Sequence, residues 1–284
     1  MNALRKFWKT ATTSYRNLQA RRALQRDLDR APGINFHRRN PRNIGDIKAG
    51  PAEYLDFLRP FAQIEIFRCK TEFDLRGKPV IVGGGGLFSN EFFAKYLRRI
   101  VDSSPGMLVC WGAGQNTHHS TDVAFPEILR AFKLVGLRDD GGPYEWVPCA
   151  SCLDPAFDLP HTIEHEVVLY NHAEFSSLRD LAVPQMENSE TDFRKIIAFL
   201  ASGDTVLTTS YHGAYWATLL GRKVVVLNAF SSKFLRFRHP PQLSSDSDWK
   251  RSAAVARSYP DALRECRLAN LQFADKVRDA IGYG

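Results

Sequence analysis

The sequence has 284 residues, of which 44% are hydrophobic and 24% are charged, as in an ordinary soluble globular protein. No apolar run approaches the ~20 residues that a membrane span needs, and the basic N-terminus lacks the apolar core of a secretory signal, so we expect a cytoplasmic protein. The net charge is +7 and residues 1–32 hold eight basic and two acidic side chains (8 − 2 = +6), so the remainder is nearly neutral and no nucleic-acid partner is expected.

Residues 1–32 are predicted to form a basic amphipathic N-terminal helix, which ends at Pro32 and Gly33. Phe7, Trp8 and Tyr15 lie roughly on one side of it. Two interpretations stay open. Residues 1–30 could dock on an anionic membrane surface, or the apolar side could pack on the protein body.

Beyond Pro32, short apolar strands alternate with helices, and this pattern is typical of an α/β fold with parallel sheets. A stretch rich in Pro, Cys, Asp and His at 141–165 indicates a boundary between two Rossmann-like domains, 33–150 and 151–284. In the first domain we predict a polar loop at 35–46, helices at 51–58, 90–102 and 125–132, strands at 63–69, 79–82, 107–111 and 133–137, and glycine loops at 83–86 and 112–116. In the second we predict strands at 166–170, 205–209 and 223–227, and helices at 189–202 (capped by Ser189), 212–220 and 262–281.

The clearest candidate site lies at residues 206–221, where a buried strand ends, turns through His212 and Gly213, and enters an apolar helix. The first N–H groups of such a helix have no backbone partner, so the turn can hold a phosphate or carboxylate. The imidazole of His212 can also transfer a proton near neutral pH.

Two further clusters follow strands or open a helix. The run Gly83, Gly84, Gly85 and Gly86 could let free N–H groups face an anion or could simply form a tight turn, and it matches neither a dinucleotide fingerprint nor a phosphate-binding Walker loop. Asp46 could orient or deprotonate a hydroxyl, or could cap a helix.

These segments together resemble the polysaccharide pyruvyltransferases, which move the pyruvyl group of phosphoenolpyruvate onto sugar hydroxyls. The similarity covers roughly residues 35–235. It is carried by the following motifs: the Asn-x-Gly-Asp run at 43–46, the glycine loop at 111–116, Leu137-Arg138-Asp139, the His212-Gly213 helix start, the strand at 221–227, and Lys233 in the run 230–234.

The resemblance implies a glycosyltransferase-B-like pair of Rossmann-like domains facing a cleft, with phosphoenolpyruvate as donor, no other cofactor and no metal. The acceptor would be a sugar of a surface polysaccharide or its lipid-linked precursor, and the product a ketal. His212 would act as general acid or phosphate ligand, and Asp46 as the base for the acceptor. The remaining substrate-binding residues would be Gly83, Gly84, Gly85, Gly86, Asn116, Arg138, Ser210, Gly213 and Lys233.

One departure concerns Ser210, because many family members carry arginine two residues before the motif histidine. Arg138, Arg236 or Arg238 would then supply the missing cation. A nucleotide-sugar glycosyltransferase of the same fold and a catalytically inactive polysaccharide-binding relative remain alternatives. Cys149 and Cys152 have the spacing of a redox or half-zinc pair, but no second pair completes a site, so we predict two reduced, semi-buried thiols.

Overall fold

The computed structural model describes residues 17–88, 91–103, 105–118 and 126–282. Within these residues the chain forms two parallel sheets with helices packed on them, which confirms the predicted α/β fold. The first sheet contains β1 (Ile34–His37), β2 (Ala62–Glu65), β3 (Pro79–Phe88), β4 (Met107–Gln115), β5 (Leu134–Leu137) and β6 (Glu145–Trp146). These strands are parallel, in the order β2-β1-β3-β4-β5-β6.

The second sheet has the order β11-β10-β9-β7-β8 and is also parallel. Its strands are β7 (His165–Asn171), β8 (Gln185–Glu187), β9 (Gly203–Thr208), β10 (Lys223–Leu227) and β11 (Gln242–Ser244). The described helices are α1 (17–30), α2 (Ile44–Ile47), α3 (Glu91–Asp102), α4 (Phe193–Ser202), α5 (Tyr211–Leu219), α6 (Trp249–Val255) and α7 (Ala262–Ile281). The predictions for β10 and α7 are confirmed to the residue.

Both glycine runs belong to strands rather than to loops after them, so this part of the prediction was wrong. β3 continues through its four glycines to Phe88, and β4 continues to Gln115. The backbones approach so closely that a Cβ on Gly83 would lie 1.9 Å from the carbonyl oxygen of Trp111. Gly84 and Gly85 have positive φ angles of 77° and 91°, which a residue with a side chain rarely adopts.

Strand β1 was missed, because its polar residues led us to predict a loop. Asn35 is fully buried, and its amide nitrogen lies 3.4 Å from the carbonyl oxygens of Ile81 and Gly83. His37 is buried as well, with Nδ1 3.2 Å from the carbonyl oxygen of Asp46. A polar residue that is hydrogen-bonded inside the fold interrupts the apolar pattern by which a strand is recognised in the sequence, although the strand still forms.

Several helix boundaries also differ from the prediction. The segment 51–58 forms two 3-10 turns, Pro51–Glu53 and Asp56–Leu58, because Leu55 between them has an extended backbone. α4 begins at Phe193, and its cap is Asp192, whose side chain accepts from the Lys195 N–H; Ser189 lies outside the helix.

One predicted strand ends earlier than expected, and several short elements were not predicted. β2 ends at Glu65, where a 3-10 turn begins, and β6, β8, β11 and α6 were not predicted because they are short. The segment 125–132 is a 3-10 turn at Glu127–Ala131 rather than an α-helix, with residue 125 outside the described residues.

The described part of the N-terminal helix, α1, packs on the protein body. Leu24 and Leu28 are each 1% exposed and join the apolar core of the first sheet. Phe7, Trp8 and Tyr15 lie outside the described residues, so membrane docking through residues 1–30 stays a prediction. A helix with the length and hydropathy of a bilayer span does not occur in the described ranges.

Helix α7 follows the second sheet in the chain. Its first half packs beside α5 in the core of the second sheet, and its second half packs on the first sheet. Phe273 meets Trp111 edge-on, with ring centroids 4.9 Å apart, and Val277 lies in the same core cluster. The side chain of Asn270 accepts from the Trp111 indole N–H at 2.9 Å. The domain boundary near residue 150 stays a prediction, and α7 is a physical tie between the two sheets.

Candidate active site

A cavity of about 510 Å³ lies where the carboxyl ends of the two sheets face each other. The first sheet contributes residues in or after its strands: Arg38 after β1, Gly85 and Gly86 in β3, Asn116 after β4 and Arg138 after β5. The second contributes His172 after β7, Asn188 after β8, Ser210 after β9 and Lys233 after β10. Parallel sheets present their ligand sites at this edge, since loops and helix N-termini converge there.

His212 lies at the first turn of α5 and lines this cavity. Its ring is 7% exposed, packs against the Gly45 backbone, and places Nε2 3.6 Å from the Cys149 sulfur. Burial, and then the nearby cations Arg138 and Lys233, lower the pKa of His212 well below its usual 6.5. The imidazole is therefore neutral at pH 7 when the cavity holds no anion.

Arg138 carries a buried positive charge that forms no direct ion pair in the described part of the chain, although the Asp139 and Asp46 carboxylates lie near enough to attract it. The residue is 4% exposed, and its guanidinium carbon lies 3.7 Å from the centre of the Tyr211 ring. The Nε–H has no hydrogen-bond partner among the described residues, and the adjacent Asp139 carboxylate instead accepts from the Gln115 backbone N–H at 2.7 Å. Because an uncompensated buried charge is costly, this arrangement favours an anionic ligand.

Lys233 and Asp46 are the two cavity residues whose pKa values lie close to neutral. Burial lowers the pKa of Lys233 to about 7, and Arg138 adds to this effect while Asp46 opposes it. Burial raises the pKa of Asp46 to about 7, against the attraction of Arg38 and Lys233. The Lys233 ammonium lies 4.4 Å from the Phe230 ring centre, and no carboxylate of the described residues forms an ion pair with it.

The alternative role of Asp46 as a helix cap is not observed. Asn43 is the N-cap of α2, and its side-chain oxygen accepts from the Gly45 N–H at 3.2 Å. The backbone carbonyl of Asp46 is the group that contacts His37, at 3.2 Å. The Asp46 carboxyl group is therefore available to the cavity.

Only part of the predicted glycine set reaches the cavity. Gly85 and Gly86 line it, whereas Gly83 packs on the Trp111 backbone and Gly84 on Ala49. Both were predicted as ligand contacts, and the structure gives them a packing role: Gly83 allows strands β3 and β4 to approach closely, and Gly84 leaves room for Ala49.

Gly213 also packs inside the fold and does not line the cavity, so its predicted contact with substrate stays a prediction. A Cβ at this position would lie 2.5 Å from the Tyr170 ring, and the Gly213 N–H donates to the Ser210 hydroxyl at 3.3 Å. Ser210 lines the cavity and is the N-cap of α5. One of the helix N–H groups that we predicted to bind an anion is thus already partnered.

Of the three arginines that could compensate for the arginine expected at position 210, only one lines the cavity. Arg138 lines the cavity. Arg236 instead donates to the Asp140 carbonyl at 3.4 Å, and Arg238 lies over the Trp146 ring at 4.5 Å. Neither of the latter two side chains lines the cavity.

Asn116 joins the two sides of the site. Its side-chain oxygen accepts from the Ser231 hydroxyl at 2.7 Å, while Thr117 and Ser232 exchange hydrogen bonds of 2.9 and 3.0 Å. The segment after β4 is thereby fixed to the segment after β10.

Sequence reasoning missed several lining residues: Arg38, Arg42, His172, Phe175 and Asn188. Arg38 and Asn188 follow strands that were not predicted, so their position at a strand end was hidden. Cys149, predicted to be semi-buried, is fully buried as a free thiol in contact with His212, a neighbour that spacing alone could not reveal.

Comparison with known proteins gives one family match. The family model described as polysaccharide pyruvyl transferase matches residues 43–229, more than half of the chain. No curated protein matches the sequence. Among solved structures, a functionally uncharacterised protein from Klebsiella pneumoniae subsp. pneumoniae NTUH-K2044 is 14% identical, with a TM-score of 0.46 over 74% of this chain and 88% of that one.

Proposed function

This chain belongs to the polysaccharide pyruvyl transferase family, a family of transferases, and from that premise we propose that it transfers pyruvate from phosphoenolpyruvate to a sugar as a ketal. The observation that carries the proposal is the buried Arg138, which forms no salt bridge among the described residues, beside Lys233 in the cavity. Phosphoenolpyruvate has a carboxylate and a phosphate on a three-carbon frame, and both groups need cations.

The proposed reaction begins with a proton added to the methylene carbon of phosphoenolpyruvate, which leaves C2 cationic. A sugar hydroxyl attacks C2 and loses its proton, the bond between C2 and the phosphate oxygen breaks, and phosphate leaves. A second hydroxyl of the same sugar then attacks C2 and closes the ketal. Two hydroxyl protons are released. One makes up for the proton that was added to the methylene carbon, and the other protonates the released phosphate.

In this scheme Arg138 and Lys233 hold the donor against Gly85 and Gly86, and Asp46 takes the proton of the attacking hydroxyl. His212 is the phosphate ligand or the acid. Its neutral imidazole can donate a hydrogen bond from one ring nitrogen, and a bound trianion would raise its pKa and favour protonation. The chemistry requires no resident cofactor besides the donor substrate.

The acceptor is implied by the family to be a polysaccharide, and we propose a sugar unit of a surface polysaccharide or its lipid-linked precursor. We also propose that the two halves have a glycosyltransferase-B-like arrangement with the substrates between them. A lipid-linked acceptor would suit a cytoplasmic protein that docks on the inner membrane surface through residues 1–30.

The direct test is phosphate release from phosphoenolpyruvate with a panel of sugar acceptors. We expect turnover by the wild-type protein, and a loss on the order of 10²–10⁴-fold in His212→Ala if this residue handles the proton. Near-wild-type turnover of that variant would remove His212 from the mechanism.

A thermal-shift measurement separates this proposal from a nucleotide-sugar glycosyltransferase. Ligand at about 100 times its Kd stabilises a fold by roughly 2.7 kcal/mol, so a specific donor is readily detected. Stabilisation by phosphoenolpyruvate and not by UDP-sugars supports the pyruvyl transfer. The reverse result supports the glycosyltransferase, and donor binding without phosphate release from any acceptor supports an inactive relative.

A further inference from the structure

An aromatic surface forms part of the cavity wall contributed by the second sheet. Phe175, in the loop after β7, stacks on Phe230, which follows β10, with ring centroids 4.1 Å apart and planes inclined by 20°. His118 and His172 lie around the Phe175 ring, with centroids at 6.3 and 5.2 Å. We call Phe175 and Phe230 the aromatic platform.

Phe175 is unusual because it combines exposure with a fixed position. The residue is 41% exposed despite the stacking, and it lines the cavity. The loop that carries it is held by backbone hydrogen bonds, since the Phe175 N–H donates to the His172 carbonyl at 3.0 Å and the Ala173 N–H donates to Asn188 at 2.9 Å. Such a ring loses little entropy on binding a ligand, and covering its exposed face is favourable.

The platform adjoins the cations that we assign to the donor. The Lys233 ammonium lies 4.4 Å from the Phe230 ring centre, so the proposed anion-binding groups and the platform share one cavity. A molecule lying on the platform would thus be next to the donor. Glu174 and Asn188 also line the cavity on this side and supply acceptors and a donor for hydroxyl groups.

We propose that the aromatic platform is the acceptor subsite, and that Phe175 packs against the apolar C–H face of a pyranose ring. A pyranose has such a face together with hydroxyls around its edge, which matches an exposed aromatic ring flanked by a carboxylate and an amide. The inference rests on the proposed function, because it assigns the place of the acceptor in that reaction.

Binding measurements test the platform separately from catalysis. The probes are methyl β-D-glucopyranoside, methyl β-D-galactopyranoside and methyl β-D-mannopyranoside, titrated by NMR, with sorbitol as a polyol that has no ring face. We expect at least one glycoside to bind the wild-type protein. Phe175→Ala should weaken this binding by about 5–10-fold, and Phe175→Trp should retain it. Phe92→Ala is the matched control, since Phe92 is 53% exposed but does not line the cavity.

Three results would overturn the assignment: no glycoside binds the wild-type protein, Phe175→Ala binds as tightly as wild type, or sorbitol binds as well as the glycosides. Stabilisation by phosphoenolpyruvate is measured on the same samples and should be equal in wild type and Phe175→Ala. If any of these results contradicts the acceptor subsite while phosphoenolpyruvate still stabilises the protein, phosphoenolpyruvate remains the proposed donor. If glycosides bind through Phe175 but phosphoenolpyruvate does not bind, the platform stands and the proposed function fails.

Discussion

At the scale of one residue, the buried charge of Arg138 costs stability in the free protein, and we propose that it serves to bind an anionic ligand. The charge of Arg138 is buried over Tyr211 and forms no salt bridge among the described residues. Replacing it with an apolar side chain of similar length should therefore relieve a cost in the empty protein. We expect Arg138→Met to keep or raise the melting temperature of the free protein while weakening phosphoenolpyruvate binding by about 10–100-fold, the worth of a charge-assisted hydrogen bond.

Arg236→Met is the matched control for Arg138→Met, because the Arg236 side chain lies outside the cavity, donates to the Asp140 carbonyl and, like Arg138, attracts the buried Asp139 carboxylate. Phosphoenolpyruvate affinity is measured by calorimetric titration, and melting by differential scanning calorimetry. A large fall in melting temperature for Arg138→Met with unchanged affinity would mean that the arginine supports the fold rather than the donor.

The pH dependence of activity should follow Asp46 and Lys233. Asp46 acts as a base only when ionised, so activity should fall as the pH drops below its pKa of about 7. Lys233 binds the anion only when protonated, so activity should also fall as the pH rises above its pKa of about 7. We expect a narrow, bell-shaped profile of kcat/KM centred near neutral pH. Asp46→Asn should lower the rate and remove the acidic limb, and survival of that limb would assign it to another group.

At the scale of secondary-structure elements, the close approach of α2 to the start of α5 positions His212. A Cβ on Gly45 would lie 2.1 Å from Nδ1 of His212, so Gly45→Ala must displace the imidazole. We expect the variant to fold and to lose about as much turnover as His212→Ala, 10²-fold or more. Gly33→Ala is the control, since its Cβ would lie 2.3 Å from the Phe61 ring and neither residue lines the cavity. Equal activity of Gly45→Ala and wild type would show that the imidazole position is unimportant.

Elements with one clear hydrophobic pattern were predictable from the sequence. β10 is a run of apolar residues bounded by turns, and α7 has long helical periodicity, so both were located correctly. The segment from β9 to α5 was recognisable because a strand, a hydroxyl cap and an apolar helix follow each other directly. The sequence therefore placed Ser210 and His212 at the edge where the cavity lies.

Features that depend on partners distant in the chain were not predictable. Asn35 and His37 lie in a buried strand only because other strands and loops satisfy their polar atoms. Glycines that line a cavity and glycines that allow close packing look the same in sequence, so the sequence did not reveal that Gly83 and Gly213 pack inside the fold. The pKa of His212 is lowered by burial and by the cations that follow β5 and β10, and the residues around His212 in the sequence do not reveal this.

At the scale of the whole molecule, the cavity exists only if the two sheets keep their relative position. Among the described residues, the contacts that hold them include the hydrogen bonds between Thr117 and Ser232 beside the cavity and the packing of α7 behind it. α7 is fixed to the segment between the sheets, since Arg267 donates to the Cys152 carbonyl at 2.8 Å and forms an ion pair with Asp158. We infer that the two halves unfold as one cooperative unit.

Asn270 is the residue through which this coupling can be tested. It is fully buried, accepts from the Trp111 indole, and donates to the Pro148 and Cys266 carbonyls. Asn270→Ala leaves at least two buried polar groups unpaired, at a cost on the order of 3 kcal/mol, and should lower the melting temperature by ~5–10 °C. Leu271→Ala is the matched control on the same helix, because Leu271 is 49% exposed and should change little.

Hydrogen exchange followed by mass spectrometry distinguishes local from global destabilisation in Asn270→Ala. Asn270 contacts β4 through Trp111 but makes no direct hydrogen bond with β9. If α7 couples the sheets, exchange in β9 should accelerate as much as exchange in β4, since both strands then become exposed in the same unfolding event. Acceleration confined to β4 and α7 would mean that the second sheet is stable by itself, and the cavity would then lie between two independently folding units.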